Sequence, residues 1–286
     1  MAGAPDPIVA ARKVYFGRLA RTPGHEAWNL RHHGDPGEPL TDPNPTTMPT
    51  EAPPSPPGSD RLDAALERLQ AHARPGELAG MARFGIVGEG RLGLSMPAMR
   101  QIARDLGRDH ALAVQLWATG IPDARIVAGM VADPARLTSR QMDAWAQGFE
   151  SWDVCDQVCG SAFLASPQAW AKVAEWATRP ETFVRRAAFS LLATLAVHDK
   201  AADNAAFFHP LALIEAAAGD DRNFVKKAVN WALRNIGKRN PALNQAAIEA
   251  ARRIQAQGSR SARWIAADAL RELTGDAVQA RLAARG

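Results

Sequence analysis

The 286-residue sequence has no run of about 18 apolar residues, which excludes a transmembrane helix. Its start lacks the basic segment, apolar core and small-residue cleavage site of a secretory signal. Cysteine is nearly absent, with Cys155 and Cys159 the two in the chain. Two thiols cannot staple a fold of this size and fit a reducing compartment. They also fall short of a four-ligand zinc site, so neither a metal nor another cofactor is expected. Strand-like alternation is missing and β-branched residues are few, which leaves an all-α protein. Charge of one sign is barely in excess, at 34 Lys+Arg against 30 Asp+Glu. The expectation is a soluble intracellular protein with no membrane partner.

What is present is unevenly placed. Residues 1–60 hold 12 of the 20 prolines with 5 basic and 7 acidic residues, and the remaining 226 hold 29 basic and 23 acidic residues. The stretch PGEPLTDPNPTTMPTEAPPSPPGS (36–59) cannot be a core element, because proline blocks helix interiors and constrains the residue before it. Residues 1–59 are therefore expected to be a disordered leader and linker, and 60–286 the folded domain. The weak amphipathic pattern from Ile8 to Arg21 is read as a dispensable extension rather than a docking helix. Met48, just ahead of the domain, is a candidate for the true start.

From Arg61 onward the pattern is helical, with Leu62, Leu66, Leu69 and Ala73 at helical spacing and short turns between segments. Ser95 ahead of Pro97 is a helix start. GIVGEGRLG lacks the preceding strand that a phosphate loop requires, so it reads as a turn. A repeat follows. FVRRAAFSLLA begins at Phe183, FVKKAVNWALR at Phe224, and RWIAADALREL places Trp264 at the equivalent position, for spacings of 41 and 40 residues. A period near 40 residues with two helices per unit marks HEAT-type repeats. Such pairs stack into a curved solenoid, so the expected fold is a right-handed α-solenoid with a concave face.

The basic surplus falls in the repeats, where residues 181–286 carry 16 basic and 10 acidic residues. Arg185/Arg186, Lys226/Lys227 and Arg252/Arg253 recur once per unit, with Arg234, Lys238 and Arg239 nearby. In register these cations would make the concave face basic and match a phosphate backbone. Trp145, Trp170, Trp176 and Trp264 are expected to fill helix–helix interfaces. Trp152 and Trp231 differ in their neighbours. Trp152 and Asp156 are four apart and share a helix face, which Phe149 and Cys159 extend. Trp231 stands one turn from Arg234 and Lys227. Asp153 is one residue off that face and is expected to cap or pair structurally. His198-Asp199-Lys200 reads as a helix end, and Cys155 and Cys159 as packing residues.

From about Met81 to Leu282 the sequence resembles the DNA alkylation repair enzymes with HEAT-like repeats, the AlkD-like DNA glycosylases. The resemblance is carried by MARFGIVGEGRLGLSMPAMRQIARDLGRDHALAVQLWATG, SWDVCDQVC, FVRRAAF and NFVKKAVNWALRNIGKRNP. It implies that Trp152, Asp156 and Trp231 line the active site. It also implies that Arg186 and Arg234 contact the DNA backbone; Arg185, Lys226, Lys227 and Lys238 join them as expected DNA-binding cations through their place in the basic stripe. The valine-cysteine pair inside the first motif, and Cys159 beyond it, bear on substrate range.

The implied reaction is hydrolysis of the N-glycosidic bond of cationic N3- or N7-alkylated purines in duplex DNA, without a deep base-flipping pocket. Asp156 would stabilise the positive charge that develops on deoxyribose and position water. Trp152 and Trp231 would offer electron-rich faces to the cation, at roughly 0.5–2 kcal/mol each. The paired, recurring Lys226 and Lys227 look like phosphate ligands rather than a Schiff-base amine, so base excision without strand cleavage is expected. The same reading expects a monomer, cytoplasmic and associated with the nucleoid. Two alternatives remain at this point: a non-catalytic HEAT-repeat protein binding damaged or branched DNA, and an interaction solenoid meeting an acidic protein.

Overall fold

Capping residues and apolar stripes set the helix boundaries. Ser95, Asp109, Thr138, Asn240 and Ser259 each precede a helix and accept a hydrogen bond from the backbone N–H three residues on. Each such cap is worth about 1 kcal/mol. Pro97, Pro122 and Pro241 sit in first turns, where no N–H is missed. The computed structural model describes residues 59–284, and every regular element among them is helical.

In chain order the helices are α1 (Ser59–Ala71), α2 (Leu78–Arg83), α3 (Met96–Leu106), α4 (His110–Ala118), α5 (Pro122–Val131), α6 (Ser139–Gln147) and α7 (Trp152–Val158). A π-helical turn at Cys159–Phe163 continues α7. Then come α8 (Ala169–Ala177), α9 (Thr182–His198), α10 (Ala205–Ala217), α11 (Asn223–Gly237), α12 (Pro241–Ala256), α13 (Arg260–Leu273) and α14 (Asp276–Ala283).

Neighbour packing resolves these into layers. Helices α5, α7, α9, α11 and α13 lie side by side in one layer, and α8, α10 and α12 pack behind them in the other. This is an α-solenoid of HEAT-like repeats. Small residues let the inner helices approach: Ala187, Ala188 and Ala193 on α9 are fully buried, as are Ala228 and Ala232 on α11. At Gly237 a β-carbon would stand 2.7 Å from Leu273 and 2.9 Å from Ala247, so only glycine fits where α11, α12 and α13 converge. No helix among the described residues is long and apolar enough to cross a membrane.

Tertiary packing departs from the sequence reading in two places. Phe149 does not extend the Trp152–Asp156 face. It precedes α7 and is buried against Trp117 and Phe163. Cys159 is fully buried too. Trp264 does not fill an interface: it is 41% exposed, with the Lys226 ammonium 5.0 Å from its ring centroid. Phe183 and Phe224 are the second residues of α9 and α11, whereas Trp264 is the fifth of α13, one turn further in. Trp145 and Trp176 are buried as expected. Trp170 is half-buried and donates to Asp199, which caps α9 and accepts from Ala202 N. The Ile8–Arg21 segment, Met48 and residues 36–58 of the proline stretch lie outside the described residues, and Ser59 opens α1.

Candidate active site and DNA-facing surface

Helix α7 starts at Trp152, so Asp156 follows one turn in on the same face. The Asp156 carboxylate is gripped by α9. Arg186 donates through Nε to Oδ1 at 3.0 Å and through Nη2 to Oδ2 at 2.7 Å, and Ser190, one turn on, donates to Oδ1 at 2.6 Å. A carboxylate oxygen accepts about two hydrogen bonds. Oδ1 is therefore saturated, while Oδ2 retains capacity for one more partner. Arg186 also donates to the Phe224 carbonyl at 2.6 Å and lies over the Trp152 ring, 5.8 Å from its centroid. Burial opposes the charge on this guanidinium, but Asp156 outweighs it and holds the group above its ordinary value.

A loop from Phe84 to Leu94 clasps the start of α7. Arg91 pairs with Asp153 through two bonds of 2.9 and 3.1 Å and donates to the Val87 carbonyl. The fully buried Asp123 on α5 accepts from Leu92 N and Leu94 N, both at 2.9 Å. Trp152 Nε1 donates to the Phe84 carbonyl at 2.9 Å, which fixes the indole. Asp153 thus has the structural role that its spacing predicted, and the glycine-rich stretch is a loop.

The remaining cations separate because adjacent helical residues point about 100° apart. Arg185 pairs with Asp220 at 3.1 Å, and Lys226 covers Trp264. Lys227, Trp231 and Arg234 run along one stripe of α11 at helical spacing, and Lys238 follows at its C-terminal cap. Arg234 and Lys238 both bond Glu272 on α13, and Arg234 lies 3.6 Å from Asp268. Lys227 is exposed, with no ion-pair partner among the described residues. Trp231 is half-buried at the edge of the core. Helix α9 stands between α11, which carries Trp231, and α7, which carries Trp152. Past Lys238 a cleft of about 440 Å³ is lined by Lys200, Arg239 and Arg281, with Asn235 and Asn240.

The structure thus brings Trp152, Asp156 and Arg186 together, gathers Arg234 and Lys238 on Glu272, and leaves Lys226 and Arg185 with partners of their own. Sequence reasoning missed Ser190, Arg91, Asp123 and Phe84. Ser190 had a signal, as a polar residue one turn from Arg186 in an apolar run. The others act across 60 or more residues, or 29 and 31 for Asp123, without a local pattern. Cys155 and Cys159 are free and buried, and burial pushes the Cys155 thiol well up. Among the described residues no cluster of three His, Cys, Asp or Glu could hold a metal.

A solenoid of HEAT-like repeats that presents one cradled carboxylate beside an indole, with cations on the neighbouring helices, defines the class of protein. The sequence matches the DNA alkylation repair enzyme family over residues 65–273, and the chain belongs to that family. A solved structure from "a new family of proteins related to the HEAT-like repeat DNA glycosylases with affinity for branched DNA structures" is similar with a TM-score of 0.63 and 20% identity. The similarity covers 77% of this chain and 95% of that one, and it shows the shared fold. No curated protein matches the sequence.

Proposed function

We propose that the chain is a monofunctional DNA glycosylase that hydrolyses the N-glycosidic bond of cationic N3- or N7-alkylpurines in duplex DNA. The observation that carries this reading is the Asp156 carboxylate, fixed by Arg186 and Ser190 with one acceptor site left on Oδ2. Alkylation makes the purine a cation and a good leaving group. Bond cleavage then moves positive charge onto the sugar, and a preorganised anion stabilises that charge without reorganising. Oδ2 is the oxygen able to accept from the attacking water. Arg186 offsets part of the carboxylate's charge, so its main contribution is orientation. Trp152 and Trp231 supply electron-rich faces for the cation. Lys227, and the less occupied donors of Arg234 and Lys238, take phosphates. Under this reading the protein works as a monomer in the cytoplasm, on nucleoid DNA.

A second reading is supported by the occupied state of Arg186 and by the branched-DNA affinity stated for the solved relative. Here the solenoid binds damaged or branched DNA without cleaving a bond. Incubation with methylated duplex DNA, followed by chromatography of the released bases, separates the two. Free 3-methyladenine or 7-methylguanine is expected. Absence of both, with tighter binding to a four-way junction than to plain duplex, would select the second reading.

A further inference from the structure

Phe84 is the most exposed large apolar side chain among the described residues, at 75%. Lone exposed apolar residues are ordinary, but this one ends an anchored loop. Its carbonyl is held by Trp152 Nε1, and Gly85 turns the chain immediately after it at φ 72°. A β-carbon at Gly85 would meet the Phe224 ring at 3.0 Å and lie 3.8 Å from Trp152, so the turn is seated on both aromatics. The two Arg91–Asp153 bonds and the Asp123 contacts fix the rest of the loop. Val87, on the same loop, is 45% exposed. The loop is therefore tied down beneath Phe84, whose carbonyl holds the Trp152 indole while its phenyl ring stands in water.

We propose that Phe84 is a wedge that enters the DNA base stack at the step next to the nucleotide held by Asp156. The proposal rests on the reading of this face as a DNA site. Asp156 lies one helical turn from Trp152, about 6 Å along the axis, and successive nucleotides are spaced about 3.4 Å apart. A group tied to Trp152 is thus offset from the carboxylate by more than one nucleotide rise. Minor-groove proteins commonly insert apolar wedges of this kind, unstacking and kinking the duplex. A wedge would open the backbone around the lesion sugar without drawing the base into a pocket, which suits a site that is an open face. Phe84 would be a positioning residue, with no contact to the reacting atoms.

The probe is a duplex with a tetrahydrofuran abasic analogue flanked by 2-aminopurine, whose fluorescence rises when it is unstacked. This duplex needs no bond cleavage, so it reports insertion independently of catalysis. Wild-type protein is expected to raise the signal several-fold at saturation. Phe84→Ala should lose most of that rise with Kd changed less than about threefold, and Phe84→Leu should keep part of it. An equal rise with Phe84→Ala, or no rise with the wild type, would overturn the wedge. So would a lowered melting temperature in Phe84→Ala, which would mean that the ring covers another part of the chain. Base release from methylated duplex is measured on the same preparations. A Phe84-dependent rise without release leaves the wedge standing and defeats the glycosylase reading. Release with a Phe84-independent signal does the reverse.

Discussion

The α7–α9 contact and the α11–α13 contact use the same kind of ion pair in opposite ways. At α7–α9 the cation is underneath: the Arg186 side chain is 6% exposed, against 14% for Asp156. At α11–α13 the partners Arg234 and Glu272 are equally exposed at 28%, and Arg271, which pairs with Asp268 within α13, is outermost at 79%. One contact therefore presents an acid supported by a base, and the other leaves base and acid about equally accessible. A buried pair fixes geometry, because removing either partner leaves an uncompensated charge. A half-exposed pair contributes little stability and yields readily to a stronger anion such as phosphate. The first arrangement suits chemistry at a defined point, and the second suits grip on a backbone.

The strongest way to break this contrast is Arg186→Ala, which strands the Asp156 carboxylate. Denaturant unfolding is expected to show a loss of about 3–5 kcal/mol, whereas Arg234→Ala should cost under about 1 kcal/mol. Comparable losses would erase the distinction. Next in size is Asp123→Ala, which leaves the N–H groups of Leu92 and Leu94 without their acceptor in a buried site. It should destabilise by about 2–4 kcal/mol and loosen the Phe84 loop, seen as faster hydrogen exchange at 84–94. Glu272→Gln acts on the other contact. It relaxes the hold on Arg234 and Lys238, so DNA should bind about three- to tenfold tighter, with a steeper salt dependence by up to about two phosphate charges.

The smallest expected effect is on pH dependence. Burial works against ionisation of Glu272 and Asp220, but hydrogen bonds from Lys238 and Arg234 to the first, and from Arg222 to the second, hold both below the usual carboxylate range. A carboxylate lowered in the folded state adds stability that is fully present above its unfolded value, about 4. That stability is lost as pH falls through the lowered folded values. Glu272→Gln should flatten this acid limb of a stability–pH curve, and an unchanged limb would remove Glu272 from it.

What was legible in the sequence was whatever repeats or falls within one helix. The FV-x-x-A pattern at Phe183 and Phe224 led to stacked helix pairs, and the four-residue spacing of Trp152 and Asp156 placed both on one face. What was not legible depends on contacts between repeats. The partners of Arg234 and Lys238 lie 38 and 34 residues on, in α13. Arg186 finds Asp156 30 residues back. Trp264 keeps the 40-residue spacing from Phe224, yet α13 begins earlier relative to it, and the ring emerges at the surface. Phe149 was misplaced because α7 starts only at Trp152. The clasp through Arg91 and Asp123 joins segments with no shared pattern.

On the proposed glycosylase reading the charge of Asp156, rather than its shape, does the chemistry on this face. Single-turnover release of 3-methyladenine by wild type and by Asp156→Asn, with duplex affinity measured in parallel, tests it most directly. A fall of about 10²–10³-fold in rate, with DNA affinity equal or tighter, is the predicted result. Equal rates in the two proteins would contradict it.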